Sequence, residues 1–378
     1  MASIVSGQAN DDLDWVKFVW LATTDVVDPK LENSELKRVW ANFNANIDRI
    51  KAMIGAFMFS SWFRSQLQLS LDVARFRTLG TLDLDEDWGK KDEIKELIEP
   101  LLRESLSVYI SKIEARKTGD ADKDKRLDLD FMSGLFERES KILGPTLQNV
   151  PQMRVGLEHF IETSIAAAWT AFEVMAEDLW EAAINVHPDV LASLSAKPRH
   201  TDKLKPKKGK PGIAEEGQIS FQKRGEDKTL LIQKLSEYDY DVKDKMGTIL
   251  KYKYSFSTLP GIRRAYLDAF PENTVDQQIM DSTFDQLSAV RNVIIHSAGV
   301  CDDNYLQSQK ETEGLPKGEK GEKIKLNGDH AYKLLFNCQF ICGVLIMIVD
   351  QWIRDNQRPN ARPVATEAPI EAGRADPK

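Results

Sequence analysis

The residues with the clearest chemical potential are Arg291, Asn292 and His296, in the string Arg-Asn-Val-Ile-Ile-His. On a helix, Asn292 and His296 are one turn apart and therefore neighbours on the surface. An amide beside an imidazole can hydrogen-bond one ring nitrogen and leave the other free to transfer protons. Arginine adds a fixed positive charge, which suits the transition state of phosphoryl transfer. The three residue types together indicate acid–base chemistry on a phosphate ester.

The helix expected to carry these residues spans 274–298, with Gly299 as its left-handed cap. Arg291 falls within the apolar stripe of this helix and therefore needs an anionic partner, because an unpaired buried charge costs several kcal/mol. The structural alternative to catalysis is an ion pair, with Glu173 as the partner and His296 as a helix-end cap. The apolar residues of the stripe are Met280, Phe284, Leu287, Ile294 and Ala298.

The spacing of Arg291 and His296 raises a geometric question. Five positions on a helix correspond to about 140° of rotation, so one helix does not bring the two groups together well. A symmetric dimer that pairs this helix with its copy would bring two such sets to one cleft. Because His296 is in the last turn, the helix dipole favours its protonated form, which suits a general acid.

Helical periodicity dominates the rest of the sequence and predicts an all-α fold. Gly144-Pro145 and Pro151 predict a boundary between an N-terminal helical region, residues 1–150, and a helical bundle, residues 151–355. The tail, residues 356–378, has the composition of a disordered segment. Helices are predicted at 33–78, 92–116, 159–186, 262–270, 274–298 and 329–354.

Two loop insertions are predicted within the bundle, near 195–228 and 307–323, and a charged surface loop is predicted at 117–128. The first insertion holds a basic, proline-punctuated run that cannot bury a core face. It is either a flexible insertion or an arm that steers RNA to a site elsewhere. The lysines of this run that are expected to bind RNA are Lys203, Lys205, Lys207 and Lys208.

Composition limits the classes of function. The net charge of −8 counts mildly against extended duplex binding, so any RNA contact must come from a local patch. Cys338 and Cys342 are one helical turn apart and could ligate a metal with His330, but their apolar neighbours favour small core residues. The expectation is therefore no metal and no cofactor. Phosphate-loop, dinucleotide-binding, zinc-protease and serine-hydrolase motifs do not occur.

The sequence predicts a cytoplasmic protein. The first residues show no basic segment followed by an apolar one, so no secretory signal is predicted. The longest apolar segment, Leu334 to Val349, is shorter than the roughly 20 residues that a membrane-spanning helix needs. It is therefore predicted to be a buried core helix, and no membrane partner is expected.

The Arg291–His296 segment resembles the signature of the HEPN (higher eukaryotes and prokaryotes nucleotide-binding) domains, Arg-x4–6-His with a polar residue after the arginine. The following Gly299, Asp302 and Tyr305 are similar to the Gly-x-x-Asp-x-x-Tyr continuation of bacterial members. The helix containing Trp169 also resembles the first long helix of the family. The resemblance covers residues 155–353 and leaves the first 150 outside it.

This resemblance implies a helical bundle, commonly a homodimer, that acts in many members as a metal-independent endoribonuclease. Arg291 and His296 would be catalytic and Asn292 supporting, with the 2′-hydroxyl attacking the adjacent phosphate to leave a 2′,3′-cyclic phosphate. Many members are toxins or antiviral effectors, which implies a regulatory partner or antitoxin. Two alternatives stay open: a non-catalytic interaction module, and a module that binds nucleotides without cleavage.

Overall fold

The computed structural model describes residues 15–24, 28–80, 91–194, 238, 241–242 and 244–356. Within these residues the fold is all-α, as predicted, and pairing between extended segments is limited to one antiparallel bridge, Val300 with Lys323. The helices, in chain order, are α1 Trp15–Trp20, α2 Ser34–Leu79, α3 Lys91–Glu114, α4 Ala121–Asn149, α5 Pro151–Val186, α6 Pro188–Leu191, α7 Met246–Leu250, α8 Leu259–Ala269, α9 Asp276–Ile279, α10 Ser282–Ser297, α11 Asp303–Glu311 and α12 Gly328–Asp355.

The long helix α5 lies at the centre of the packing and contacts α2, α10, α12, α7 and α8. Its buried residues include Trp169, Phe172 and Trp180. The Trp180 indole donates a hydrogen bond to the Ala265 carbonyl at 2.8 Å, and the Tyr266 hydroxyl donates to the Ala176 carbonyl at 2.8 Å. These bonds satisfy the polar ends of buried aromatic rings and fix α8 against α5.

Helix α12 is the second core helix. It is long and apolar enough to cross a membrane by length and composition, and half of its most apolar window is buried within the protein. Cys338 and Cys342 are both fully buried and free, as predicted for small core residues. His330 at its start is half-buried, and burial lowers the pKa of its imidazole. Among the described residues, no cluster of three metal-ligating side chains occurs.

The N-terminal helices share the core of the bundle. One hydrophobic cluster extends from Phe18 of α1 through α2 and α5 to Ile353 of α12. The buried Asp350 carboxylate accepts hydrogen bonds from the backbone N–H groups of Glu32 and Asn33, at 3.1 and 3.0 Å. The division of the chain into two regions at residue 150 stays a prediction, since the packing continues across it.

Helix α2 begins where its sequence signal indicates. The Asn33 side chain accepts hydrogen bonds from the N–H groups of Glu35 and Leu36, so Asn33 is its N-cap. The helix is continuous for 46 residues, until Gly80 closes it in the left-handed conformation at φ 71°. Helix α3 is continuous through Pro100.

Two expectations about the N-terminal half are wrong. The charged segment 117–128 is not one loop, because α4 begins at Ala121 inside it. There the Asp124 carboxylate accepts from the N–H groups of Thr118 and Gly119 and closes the turn before the helix. Gly144-Pro145 lies inside α4 and does not interrupt it, and the interruption between α4 and α5 is at Val150. The helical propensity of the neighbouring residues therefore outweighs the charges of 121–128 and the helix-breaking tendency of Gly144-Pro145.

Residues 303–327 contain a helix and hydrogen bonds that hold the following segment against it. Asp303–Glu311 is the helix α11, and the Tyr305 hydroxyl donates to the Pro316 carbonyl at 2.7 Å. The insertion predicted near 307–323 is thus partly helical. The insertion near 195–228, with Lys203, Lys205, Lys207 and Lys208, and the predicted tail after residue 356 lie outside the described residues.

Candidate functional site

Helix α10 carries Arg291, Asn292 and His296 and is shorter than predicted. Residues 274–298 form two helices, α9 and α10, because the Asp281 side chain accepts from the Thr283 N–H at 2.8 Å and starts a new helix. Met280 consequently lies between the helices and is half exposed, not part of an apolar stripe. The buried face of α10 is formed by Thr283, Phe284, Leu287, Val290 and Val293.

Two contacts fix α10 on the bundle. The ring of Phe284 stacks on Phe172 of α5, with centroids 4.1 Å apart and planes within 15°. The Arg263 guanidinium of α8 binds both carboxylate oxygens of Asp285, at 2.7 and 2.9 Å. A bidentate pair of this kind is geometrically specific as well as favourable. The helix therefore cannot easily rotate about its axis, which fixes the face that carries the three polar residues.

The three predicted residues converge at the C-terminal end of α10. Arg291 Nη1 lies 3.0 Å from Asn292 Oδ1 and 3.4 Å from His296 Nε2. Asn292 and His296 are exposed and Arg291 is partly exposed. One helix brings Arg291 and His296 together better than their spacing predicted, because the arginine stem is long enough to reach the imidazole. Arg291 also lies beside the buried face rather than in its middle.

The hydrogen bonds define the roles that these groups can take. A guanidinium only donates, so in any hydrogen bond between the two groups His296 Nε2 is the acceptor. The sequence suggested that Asn292 orients the imidazole. In the structure its amide oxygen accepts a hydrogen bond from Arg291, so Asn292 orients the guanidinium instead.

Glu173 of α5 supplies a charge that balances Arg291. Burial raises the pKa of the Glu173 carboxyl, while the Trp169 indole and the positive charge of Arg291 lower it. The Trp169 Nε1–H donates to Glu173 Oε1 at 2.5 Å, which holds the carboxylate in place. The positive charge of Arg291 thus acts on Glu173, but the hydrogen bonds of the guanidinium go to Asn292 and His296 and not to that carboxylate.

The turn after His296 is built by the Gly299-x-x-Asp302-x-x-Tyr305 string. Ala298 and Gly299 both have left-handed backbones, at φ 49° and 77°, which ends the helix. The Asp302 carboxylate accepts from the Ser297 hydroxyl at 3.2 Å and from the Tyr305 N–H at 2.8 Å. This string therefore connects the last turn of α10 to the start of α11 and positions His296 indirectly.

An antiparallel contact fixes the same turn from the other side. The Cys301 N–H donates to the Glu322 carbonyl at 2.8 Å, and the Ile324 N–H donates to the Gly299 carbonyl at 2.9 Å. The same segment forms the isolated bridge of Val300 with Lys323. The bonds limit the movement of the backbone that follows the site.

Charges near the site are mixed. The Glu162 carboxylate lies beside Gly299, because its Oε1 is 3.3 Å from the position that a Cβ on Gly299 would occupy. Glu162 Oε2 is also 3.6 Å from His159 Nδ1. With Glu173, α5 thus contributes two carboxylates near the end of α10. A polyanion approaching the site would meet Arg291 as the positive group, and further positive charge must come from elsewhere in the chain or from a partner.

Sequence reasoning missed the roles of Asp302 and Glu162. Asp302 has a recognisable signal, because an Asp before a helix start is a common N-cap. Glu162 has no such signal, since its proximity to Gly299 depends on how α5 packs against α10. The chain matches no protein-family model, and no curated protein and no solved structure matches it.

Proposed function

We propose that the chain is a metal-independent endoribonuclease whose catalytic residues are Arg291 and His296, with Asn292 orienting Arg291. The observation that carries the proposal is the exposed contact between Arg291 Nη1 and His296 Nε2. An acceptor nitrogen beside a permanent cation is the minimum needed to deprotonate a hydroxyl next to a phosphate.

In the proposed reaction, His296 Nε2 accepts the proton of a ribose 2′-hydroxyl. The 2′-oxygen attacks the adjacent phosphorus, and the bond from phosphorus to the 5′-oxygen of the next nucleotide breaks. Arg291 leaves His296 to contact the non-bridging oxygens, whose charge increases in the transition state. Return of the proton to the leaving oxygen yields a 2′,3′-cyclic phosphate and a 5′-hydroxyl, so no water or metal enters this step.

The proposal includes a homodimer. The Ile295 side chain, next to His296 in sequence, is 53% exposed. An exposed isoleucine in the last turn of the helix offers an apolar contact for a second copy of α10. A second copy would also bring a second Arg291 to a site where α5 contributes mainly negative charge. The lysines at 203, 205, 207 and 208 are proposed to contact RNA, and the enzyme is proposed to be cytoplasmic, with a regulatory partner or antitoxin that limits its activity.

The test is incubation of the purified full-length protein with total tRNA in EDTA, followed by analysis of the product ends. Cleavage that leaves cyclic phosphate and 5′-hydroxyl ends supports the mechanism. Cleavage that leaves 5′-phosphate ends would contradict 2′-hydroxyl attack. Intact RNA after incubation with folded protein would favour the non-catalytic interaction module instead.

The dimer has its own test. The Ile295→Asp variant introduces a charge at an exposed position, so the monomer fold is expected to be unaffected. Analytical ultracentrifugation is expected to show a dimer for the wild type and a monomer for this variant. A wild type that sediments as a monomer at micromolar concentration would contradict the proposed dimer.

A further inference from the structure

A cleft on the N-terminal helices lies apart from α10. Residues of α2, of α3 with the turn that follows it, and of α4 line a volume of about 390 Å³. This volume is in the range of sites that hold small molecules. The site proposed above uses none of the residues that line this cleft, so the inference does not depend on the proposed function.

One side of the cleft is aromatic. The rings of Trp62 and Tyr109 are 4.4 Å apart between centroids, and those of Tyr109 and Phe131 are 5.1 Å apart. Trp62 is buried, whereas Tyr109 and Phe131 are half-buried and line the open space. A surface of adjacent rings that is only partly covered favours a flat, aromatic ligand, since ring stacking adds to the burial of area.

The rim of the cleft is basic in a chain whose net charge is negative. Lys112, Arg116 and Arg138 line it, against one acidic residue, Asp130. Arg138 lies 3.4 Å from the buried Glu139, so its charge is partly used within the protein. The Arg116 guanidinium lies 4.8 Å from the centre of the Phe131 ring, which places a cation directly beside the aromatic wall. Lys112 and Arg116 are exposed and able to contact an anion.

We infer that this cleft binds a mononucleotide, with the base against Tyr109 and Phe131 and the phosphate at Lys112 and Arg116. A base is flat and aromatic, and it is joined to its phosphate by one sugar. The wall and the rim are adjacent through the Arg116–Phe131 contact, so one ligand of this kind contacts both. Arginine and lysine are the usual partners of phosphate in proteins.

Gly134 makes a sharp test possible. It lines the cleft from within α4, and a Cβ added there meets no heavy atom within 4 Å. The Gly134→Leu substitution therefore adds a side chain at the lining of the cleft, at a position where its Cβ has open space, and it replaces a poor helix former with a good one. Gly156 in α5 is the matched control, because a Cβ there also meets nothing within 4 Å and it does not line the cleft.

The experiment is isothermal titration calorimetry of the full-length protein with AMP, GMP, CMP and UMP, and with adenosine and inorganic phosphate as single-part probes. At least one mononucleotide is expected to bind more tightly than adenosine or phosphate, and more weakly at high salt. Gly134→Leu is expected to weaken this binding at least about tenfold, and Gly156→Leu to leave it unchanged. The double variant Lys112→Gln, Arg116→Gln is expected to reduce nucleotide affinity to that of the nucleoside.

Three results would overturn the inference. In the first, none of the four mononucleotides binds to the wild type with Kd below about 1 mM. In the second, a nucleotide binds but Gly134→Leu and Gly156→Leu bind it equally well. In the third, adenosine binds as tightly as AMP, which would remove the assigned role of the basic rim. Urea unfolding of each variant shows whether any loss of binding is a loss of fold.

Discussion

Arg291 and His296 are five residues apart on one helix, yet Nη1 of the arginine lies 3.4 Å from Nε2 of the histidine. The contact forms on the surface of α10, where Asn292 accepts a second hydrogen bond from the same Nη1. Two acceptors thus converge on one guanidinium nitrogen. The guanidinium has three other N–H groups, on Nε and Nη2, with which to contact a phosphate.

The Arg291→Lys variant tests whether the planar guanidinium, and not charge alone, is required. Lysine keeps the positive charge but has no fork that contacts two partners in fixed geometry. We expect RNA cleavage in EDTA to fall at least about 100-fold, with little change in stability because Arg291 is partly exposed and lysine keeps its positive charge. The matched control is Arg264→Lys on α8, an exposed arginine outside the site. Wild-type rates in Arg291→Lys would contradict the assigned role.

Asn292 is expected to be a positioning residue. Asn292→Ala removes the acceptor for Arg291 without removing either catalytic group, so the cleavage rate is expected to fall about tenfold and not to vanish. The rate should recover in Asn292→Asp, which keeps an acceptor oxygen at the same place. An alanine variant as active as the wild type would show that Arg291 needs no such support. Asn304→Ala, on the exposed face of α11, is the control.

The turn that follows His296 is expected to matter although it touches no substrate. Asp302→Ala removes the acceptor of the Ser297 hydroxyl and of the Tyr305 N–H, so the start of α11 and the end of α10 separate more easily. Loss of such a cap costs about 1 kcal/mol of unfolding free energy. We expect a lower kcat with little change in KM, measured on one RNA substrate. Equal losses in KM and kcat would indicate that the turn contacts RNA directly.

The ion pairs of Asp329 connect α1 to α12 and depend on pH. Asp329 lies 2.6 Å from Lys333 Nζ and 2.9 Å from Lys17 Nζ, and its hydrogen bond with Lys333, more than that with Lys17, lowers its pKa. An acid whose pKa is lower in the folded state stabilises the fold above its unfolded pKa, and this stability is lost as pH falls through the folded pKa.

Asp329→Asn is therefore expected to lower the free energy of unfolding by about 1 kcal/mol at pH 7, measured by urea denaturation. The difference from the wild type should shrink as the pH falls below the ordinary aspartate value of 3.8. Asp303→Asn is the control, because its ion pair with Lys320 is exposed at both ends and contributes little. A difference that is constant from pH 7 to acid would contradict an electrostatic origin.

Gly247 is expected to tolerate no side chain. A Cβ there would be 2.2 Å from the Glu181 carbonyl oxygen, which is backbone and cannot move aside cheaply. We expect Gly247→Ala to cost about 3 kcal/mol and Gly156→Ala, in an open helical position, to gain about 1 kcal/mol. Thermal unfolding of the two variants measures both effects. A stable Gly247→Ala protein would mean that α7 does not pack closely on α5.

The helices of this protein could be predicted largely because their apolar residues recur at helical spacing. The predicted ranges 33–78 and 159–186 also gave the start of α2 and the end of α5 correctly, since caps and prolines act through local bonds, whereas α5 begins earlier than predicted, at Pro151. The start of α4 and the break at Asp281 were not predicted. Both depend on an aspartate that accepts backbone hydrogen bonds, and aspartates are frequent enough that few of them mark a helix start.

The candidate site was predictable in its residues and not in its geometry. Residue types and spacing identified Arg291, Asn292 and His296, but the position of the guanidinium depends on side-chain conformation, which helical spacing does not determine. The attraction of Glu173 and the proximity of Glu162 depend on the packing of α5 against α10. The mononucleotide cleft is formed by the packing of three consecutive helices against one another, and no local sequence pattern indicates how they pack.

The most direct test of the proposed enzyme compares two histidine variants in EDTA. His296 and His159 are both exposed histidines near the end of α10, and only His296 contacts Arg291. We predict that His296→Ala loses at least about 100-fold in tRNA cleavage, whereas His159→Ala cleaves at the wild-type rate. Equal activity of the two variants would contradict the assignment of His296 as the group that transfers the proton, and with it the central claim.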